Sequence, residues 1–548
     1  MRSPRCLVLY RSCAVLALGL CLSSLLLLDS SRVVAAPRSE TPAAEEPPIG
    51  ALNAAHLLRR AGFGGTPEQV EYVAKLSRRA AVDLFVDYDS IPFPVDAYPH
   101  NPEDLKVLED KVANATDLED KRRYNKVLRR VNEVHLSGIR RWWFRRMLRT
   151  PRPLEERMTL FWHGHFVSAH PKVGWMPLYW QNRLLREHAV ANFRTLAKAI
   201  SRDPAMILYL DMASNVVGHA NENFARELLE LFLIGPGHYT EDDIQEISRA
   251  FTGYRLDEDG HFFFDPKLHD HGEKTILGRT AKFDGDAVID LIFEQPGCAV
   301  HLARALYEEF VMPDAPADRI AWLAGEIRRV DFDVKETLRI LLSSDDFFSE
   351  RARFSRVRSP IELVIGIVRM LEVPETNSTG LYTLACDMGQ DAFHAPSVAG
   401  WDGDRAWITS QTLALRYNFA RHILGDSDPN EARYRQLSGR LTRGREQQSM
   451  MAEVMTSPSL SEIRHNALLS QPWDPAPILR RYGLSSADAI VEHFVERLLQ
   501  QPLPEARRER VQQIFADAES IDAGSDDTTG RVRDLVALLL SMPESQIM

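Results

Sequence analysis

Apolar residues recur every three or four positions along most of the chain after residue 50, and this spacing predicts helices. Residues 51–76, ALNAAHLLRRAGFGGTPEQVEYVAKL, illustrate the pattern. We expect a helix, a glycine-rich turn and a second helix there, because Thr66 is a good N-cap residue and Pro67 suits the first helical position. Helical spacing also predicts a helix that starts near Pro153 and another through residues 181–202. The sequence therefore predicts a mainly α fold, with one large multi-helix globular domain.

The pattern changes after Gly253. In YRLDEDGHFFFD, aromatic and other apolar residues lie on both sides of Asp259-Gly260. An Asp-Gly pair between such runs is typical of a hairpin turn, so we predict a small β-hairpin insertion near residues 251–265. The following stretch, LHDHGEKTILG at 268–278, is predicted to be a polar loop. Helical spacing then resumes and continues to about residue 424.

The first residues have the layout of a secretory signal: a basic start, a short apolar core and small residues at VVAAP for cleavage. We therefore expect an exported protein, periplasmic or extracellular. The sequence predicts five segments: a signal peptide at 1–36, a flexible linker at 37–50, a mainly helical domain at 51–424, a polar and partly ordered segment at 425–473, and C-terminal helices at 474–548 that pack on the main domain.

Charge and cysteine content narrow the class further. The chain has 548 residues and a net charge of −11, which argues against general nucleic-acid binding, since that needs a basic surface. Only Cys298 and Cys386 lie outside the predicted signal peptide, and a single bridge or two free thiols are both compatible with the sequence. Beyond the signal segment, no run is apolar for 18 residues, so no further membrane span is expected.

The stretch HANENFARELLELF, residues 219–232, carries charge on an apolar frame. On a helix of about 100° per residue, Asn223, Arg226, Glu227 and Glu230 form one stripe with Glu222 at its edge. Because the other faces are apolar, we predict a buried helix whose stripe must be paired inside the protein. An ion-pair ladder of Glu222, Arg226 and Glu230 is one explanation, and it leaves Asn223 and Glu227 without partners.

Two histidines, His163 and His165, lie in the motif FWHGHF. On an extended segment their side chains share one side, which is a common arrangement of metal ligands. On a continued helix they point about 200° apart and cannot share an ion. Gly164 lies between them and leaves both possibilities open.

These residues, together with the loop motif HDHGEK, define a candidate site whose convergence in the fold is an assumption. A mixed histidine and carboxylate set suits a divalent metal such as Zn, Mn, Fe or Ca. An exposed loop is the alternative explanation of HDHGEK. The predicted metal ligands are His163, His165, Glu227, Glu230 and Asp270. The predicted catalytic residues are Glu227, Arg226 and Lys274.

Seven motifs occur in a recognisable order: AAHLLRRAGFG, PLEERMTLFWHGHF, DPAMILYLD, NENFARELLELFLIG, YTEDDIQEISRAFTGY, HDHGEKTILG and PSVAGWDGDRAWI. Together they resemble the uncharacterised bacterial family catalogued as domain of unknown function number 1800, from about residue 51 to residue 424 and more faintly to SMPESQ. The resemblance implies export and, as a partner, a sulfatase-like exported protein encoded nearby, and it implies no activity. Members commonly have histidine where this chain has Phe232.

Two functional hypotheses are compatible with these patterns. The first is an exported enzyme with a buried histidine and carboxylate site, a metal-dependent hydrolase or oxidoreductase that acts in the cell envelope. The second is a non-catalytic envelope scaffold or binding partner, in which the polar stripe is a structural salt-bridge network.

Overall fold

The structure is a computed structural model, and it describes residues 46–93, 97–99, 102–170, 172–374, 378–424, 472–518 and 521–548. The predicted signal peptide, most of the predicted linker and nearly all of the predicted polar segment at 425–473 lie outside the described residues.

Helices account for most of the described chain, which confirms the mainly α fold class. The α-helices, numbered here in chain order, are α1 Ala51–Arg60, α2 Pro67–Ala74, α3 Arg78–Val86, α4 Pro102–Asn114, α5 Leu118–Arg149, α6 Pro153–His165, α7 Trp175–Glu187, α8 Phe193–Ile200, α9 Pro204–Tyr209, α10 Asn223–Glu227, α11 Glu241–Ala250, α12 Gly285–Phe293, α13 Pro296–Phe310, α14 Ala317–Arg329, α15 Val334–Leu342, α16 Pro360–Met370, α17 Ser378–Asp387, α18 Ser410–Leu424, α19 Ala476–Arg481, α20 Ala487–Leu498, α21 Glu505–Gln512, α22 Asp526–Leu540 and α23 Pro543–Gln546.

Shorter helical turns join several of these elements. The 3₁₀ turns are Tyr88–Ser90, Met212–Ser214, Asp404–Trp407 and Gln513–Phe515. One π-helix, Leu228–Leu233, directly follows α10. The predicted helix over 219–232 is therefore a five-residue α-helix that continues as a π-helix.

Two antiparallel hairpins interrupt the helices. Strands β1 Tyr254–Leu256 and β2 Phe262–Phe264 form the predicted hairpin, with Gly260 at φ 80° in its turn. Strands β3 Lys274–Ile276 and β4 Arg279–Ala281 form a second hairpin. The predicted polar loop at 268–278 is wrong over its second half, because Lys274 and Ile276 are buried and pair with the strand that follows.

Local capping explains several helix boundaries. Thr66 and Gln69 form a capping box at the start of α2, and Thr240 and Asp243 form one at the start of α11. The single helix expected through residues 181–202 is instead α7 and α8. Asn192 starts α8, because its side-chain oxygen accepts from two backbone N–H groups of the first turn.

The apolar side chains form two buried clusters. The first gathers residues from α1 to α3 and from α6 to α15, including Leu229 and Phe232 of the π-helix. The second combines α5 and α16 with the C-terminal helices, through residues such as Trp143, Ile365 and Leu535. Helices beyond residue 474 thus share a core with helices that precede residue 424, while the predicted domain boundaries stay predictions.

Two smaller questions from the sequence concern membrane spans and cysteines. None of the helices in the described residues is both long enough and apolar enough to cross a bilayer. Cys298 and Cys386 are free thiols, and burial raises the pKa of Cys298 to about 12. Of the two possibilities left open by the sequence, the structure has the unbridged one.

Candidate functional site

The π-helix determines how the residues of HANENFARELLELF are displayed. Its wider turn is visible at its end, where the N–H of Ile234 donates to the carbonyl of Leu229, five residues back, at 3.2 Å. Each such turn contains more residues than an α-helical turn, so side chains beyond Leu228 rotate away from the α-helical stripe. Segments of this kind are frequent at functional sites.

The start of α10 is built by asparagine side chains. The side-chain oxygen of Asn215 accepts from the N–H of Asn221 at 2.9 Å, and that of Asn221 accepts from the N–H of Asn223 at 3.0 Å. The amide of Asn215 donates to the carbonyl of Ser248 in α11 at 2.7 Å. These bonds hold the first turn of α10 against the end of α11. The side chain of Asn223 itself is exposed.

Two histidines bind consecutive carbonyls of the π-helix. Nε2 of His165 lies 2.8 Å from the carbonyl oxygen of Phe232, and Nε2 of His301 lies 2.8 Å from that of Leu231. A carbonyl only accepts, so both imidazoles donate through Nε2. Burial and, to a smaller extent, the neighbouring His301 lower the pKa of His165 to about 3. Both rings therefore act as neutral donors that complete the backbone bonding of the π-helix.

His163 has a different environment. Because α6 continues to His165, the helical alternative for the FWHGHF motif is the correct one. Nε2 of His163 accepts from the N–H of Phe393 at 3.1 Å, and its ring lies edge-on to Trp143 with centroids 5.1 Å apart. Burial lowers the pKa of His163 to about 4. His163 and His165 thus contact different parts of the protein.

Of the two ion pairs predicted for Arg226, the one with Glu222 is present, and Glu241 takes the place of Glu230 in the other. Nη2 of Arg226 lies 3.2 Å from Glu222 and 2.8 Å from Glu241 at the start of α11, while no ion pair joins it to Glu230 among the described residues. The π-helix carries Glu230 off the line that an α-helix would keep. The Arg226 side chain is 37% exposed and that of Glu241 is 75% exposed, so the expectation of a buried stripe is wrong here.

Glu227 and Glu230 remain as neighbouring carboxylates without side-chain partners. Both are partly buried, and neither carboxylate makes a hydrogen bond or an ion pair within the part of the chain that the structure describes. Burial raises the pKa of Glu227 above its usual 4.5, the charge of Glu230 raises it further, and Arg226 lowers it. Glu227 and Glu230 are therefore an electrostatically coupled pair of like charges.

Two tyrosines border this pair. Burial raises the pKa of Tyr209, and the charge of Glu227 adds to that effect. Burial likewise raises the pKa of Tyr239, with Glu230 as the next cause. No pattern in the sequence selects Tyr209, Tyr239 or His301, because each lies in an ordinary helical or pre-helical pattern and only the fold brings it to the π-helix.

The HDHGEK segment is held by its own contacts. Asp270 accepts from Nε of Arg249 at 2.8 Å, and this bond lowers the pKa of Asp270 to about 2. The ammonium of Lys274 donates to the carbonyls of Asp270 at 2.6 Å and Gly272 at 3.1 Å. Lys274 is buried, and burial lowers its pKa. The exposed-loop alternative is thus incorrect for Lys274, whose ammonium shapes the turn before β3.

The structure brings together only part of the predicted set. Among the described residues, no group of three or more His, Cys, Asp or Glu side chains is arranged to hold a metal ion. His163, His165, Glu227, Glu230 and Asp270 are therefore not gathered into one metal centre. Of the predicted catalytic residues, Arg226 lies beside Glu227, while Lys274 is held by backbone carbonyls. The carboxylate pair at the junction of α10 and the π-helix is the remaining candidate site.

Comparison with known proteins gives a family and no characterised relative. A family model described as "Protein of unknown function (DUF1800)" matches residues 56–547, nearly the whole chain. No curated protein and no solved structure matches the chain.

Proposed function

The chain belongs to the DUF1800 family, and with that as the premise we propose that it is an exported enzyme in which Glu227 and Glu230 act as a general acid–base pair in hydrolysis of a cell-envelope substrate. One observation carries this proposal. The two carboxylates lie three residues apart at the junction of α10 and the π-helix, partly buried and close enough for the charge of Glu230 to raise the pKa of Glu227, and neither makes a hydrogen bond or an ion pair with a described residue.

The environment suggests a separate role for each carboxylate. Burial and the charge of Glu230 both favour the protonated form of Glu227, and this suits Glu227 for protonating a leaving group. Glu230 would then accept a proton from the attacking water. Paired carboxylates whose environments separate their protonation behaviour are a recurring solution to acid–base catalysis near neutral pH.

The surroundings also indicate the kind of substrate. Two carboxylates disfavour an anionic reacting group, and the cation that acts on Glu227, Arg226, is already bound by Glu222 and Glu241. The aromatic rings of Tyr209 and Tyr239 offer surfaces for an uncharged ligand, and both residues are partly exposed. An uncharged ester or glycoside is therefore the proposed substrate class.

A metal-dependent form of the enzyme needs more ligands than this pair supplies. Ca²⁺ takes six to eight oxygen ligands, and structural or catalytic zinc takes at least three protein ligands. Two glutamates can supply only part of such a shell.

One observation favours the alternative, a non-catalytic envelope scaffold. Arg226 joins α10 to α11 through Glu222 and Glu241, which is a structural role for the guanidinium without any ligand. That network leaves Glu227 and Glu230 unexplained, and the enzymatic hypothesis accounts for them.

The test is a hydrolysis assay of the purified protein on a panel of uncharged esters and glycosides. We expect Glu227→Gln and Glu230→Gln to lower kcat/KM by about 100-fold or more, the usual contribution of a general acid or base. Glu222→Gln is the matched control, since it removes a nearby carboxylate that binds Arg226, and it should stay close to wild type. Equal activity in all three variants, or no turnover of any panel substrate by the wild type, would overturn the proposal.

A further inference from the structure

A second feature lies away from the carboxylate pair. Three arginines are buried where the end of α1 meets the segment before α16 and the helix α18. Arg59 is 4% exposed, Arg358 is 2% exposed and Arg416 is 1% exposed. We call these three residues the arginine cluster. Arg59 belongs to the AAHLLRRAGFG motif, to which the proposed function assigns no role.

The guanidinium groups of the arginine cluster have neutral partners or none. Nε of Arg59 donates to Oε1 of Gln500 at 2.9 Å. Arg416 donates to Oε1 of Gln546 at 3.2 Å and to the carbonyl of Arg358 at 2.9 Å. Nε and Nη2 of Arg358 have no hydrogen-bond partner. Within the described residues, no ion pair involves any member of the cluster.

Other arginines nearby have guanidinium groups that are paired with carboxylates or bound by several backbone carbonyls. Arg157 lies 2.6 Å from Glu309 and also contacts Glu362, and Arg356 lies 3.2 Å from each of these carboxylates. Arg369 instead donates to three backbone carbonyls, at 3.0, 3.0 and 3.3 Å. Among the described residues, no member of the arginine cluster is paired with a carboxylate, and none is bound by several backbone carbonyls.

Such an arrangement is costly unless an anion is present. A guanidinium stays protonated in proteins, and a buried charge is expensive unless it is paired. Burial lowers the pKa of Arg358 to about 10, and the charge of Arg416 contributes to the same shift. Arg358 in turn helps to lower the pKa of Arg59. The charge of Arg358 is thus coupled to those of Arg59 and Arg416, and a negative charge beside Arg358 would relieve both the burial cost and this repulsion.

We propose that the arginine cluster binds a small tetrahedral oxyanion of the phosphate or sulfate class. The planar guanidinium presents several N–H groups and suits such oxyanions. Gln500 adds a further donor: Arg59 holds its Oε1, while its Nε2 is buried with no partner. Gln500 also lines a cavity of 360 Å³ between α1, α2 and α20; the three arginines do not line this cavity, and Gln500 is the residue that contacts both it and Arg59.

The test compares inorganic phosphate with chloride at constant ionic strength on the full protein. Isothermal titration calorimetry and melting curves should show saturable phosphate binding to the wild type and a rise in Tm. Arg358→Met should weaken phosphate binding at least tenfold. Arg369→Met is the matched control, because it removes a partly buried guanidinium bound only by carbonyls, and it should bind phosphate like the wild type even if its Tm is lower.

Two outcomes would overturn the proposal: no phosphate binding to the wild type, or equal binding by the wild type and Arg358→Met. If Arg358→Met does not fold, Gln500→Leu replaces it, since this variant removes the free amide donor and keeps every charge. Gln500→Leu should bind phosphate more weakly than the wild type, and unchanged binding would equally contradict the site. Sulfate in place of phosphate distinguishes general oxyanion binding from selectivity for phosphate.

Discussion

Nε2 of His165 lies 2.8 Å from the carbonyl oxygen of Phe232, and through this bond a residue predicted as a metal ligand supports the backbone of the π-helix. His301 makes the equivalent bond to the preceding carbonyl. The π-helix in turn separates Glu230 from Arg226 and leaves it beside Glu227. A histidine on α6 therefore helps to determine where the candidate carboxylates lie.

Replacing His165 tests this dependence. His165→Phe keeps an aromatic ring and removes the donor, so the carbonyl of Phe232 loses its side-chain partner in a largely apolar setting. We expect the free energy of unfolding to fall by about 1–3 kcal/mol. Urea denaturation measures it, and His219→Ala, an exposed residue in the same region, should change stability by less than about 0.5 kcal/mol. A loss for His165→Phe as small as this control would contradict the role.

The buried histidines also predict acid sensitivity. The pKa of His163 is about 4 and that of His165 about 3 in the folded state, against about 6.5 when unfolded. Between pH 6.5 and 4 the unfolded state binds more protons, so each histidine lowers stability as pH falls, by up to about 1.4 kcal/mol per pH unit. Asp203, whose pKa burial raises to about 7, contributes with the opposite sign, so variants are more informative than the absolute slope.

His163→Gln isolates one of these contributions. Its side-chain oxygen can still accept from the N–H of Phe393, and it does not titrate. Urea unfolding at pH 7, 6 and 5 should give a shallower loss of stability for His163→Gln than for the wild type. Parallel pH dependences for the two proteins would show that His163 is not held neutral in the fold.

Residues 219–232 do not form the buried salt-bridge network predicted from the sequence. A buried network of that kind surrounds Glu156 of α6. Its carboxylate is 2.9 Å from Nε of Arg146 and 2.7 Å from Nε of Arg186, and all three side chains are buried. Glu156→Gln should destabilise the protein by about 3–5 kcal/mol, because it removes the shared carboxylate of two buried cations and leaves Arg146 with only the more distant Glu155, at 3.7 Å. Glu241→Gln, which removes an exposed partner of Arg226, should cost at most about 1 kcal/mol. Similar losses in the two variants, measured by urea denaturation, would refute this distinction.

The unpaired carboxylates predict an unusual stability effect. Glu227→Gln removes a partly buried charge that makes no ion pair with a described residue, and it relieves the repulsion from Glu230. At pH 7 we expect unchanged stability or a gain of a few tenths of a kcal/mol, the usual size of such like-charge effects on a helix. Thermal unfolding checks this, with Glu222→Gln as a comparison that should be slightly less stable. A clear loss of stability in Glu227→Gln would mean that its carboxylate has a structural partner.

Local signals in the sequence predicted much of the fold. The N-cap at Thr66 and the Asp-Gly turn of the first hairpin depend on residues close together in the chain, and both are confirmed. The second hairpin was missed because its turn, Leu277-Gly278, lacks the Asp-Gly signal of the first hairpin, and because a lysine, Lys274, occupies a buried strand position.

The candidate site was harder to predict because it depends on contacts between distant residues. The composition of LLELFL is equally suited to an α-helix, and the bonds from His165 and His301 to its carbonyls come from more than 60 positions away. The partner of Arg226 is Glu241 on the next helix, which a ladder within one helix cannot reveal. Helical periodicity did indicate that Glu227 needed a separate explanation from the ladder.

The pKa of the Glu227 carboxyl group tests the central claim most directly, since the proposed chemistry depends on an unpaired carboxylate coupled to Glu230. It can be followed by ¹³C NMR of glutamate-labelled protein, with Glu227→Gln to assign the signal. We predict a pKa above 4.5 in the wild type and a shift back toward 4.5 in Glu230→Gln. A wild-type pKa at or below 4.5, or one that Glu230→Gln leaves unchanged, would contradict the account.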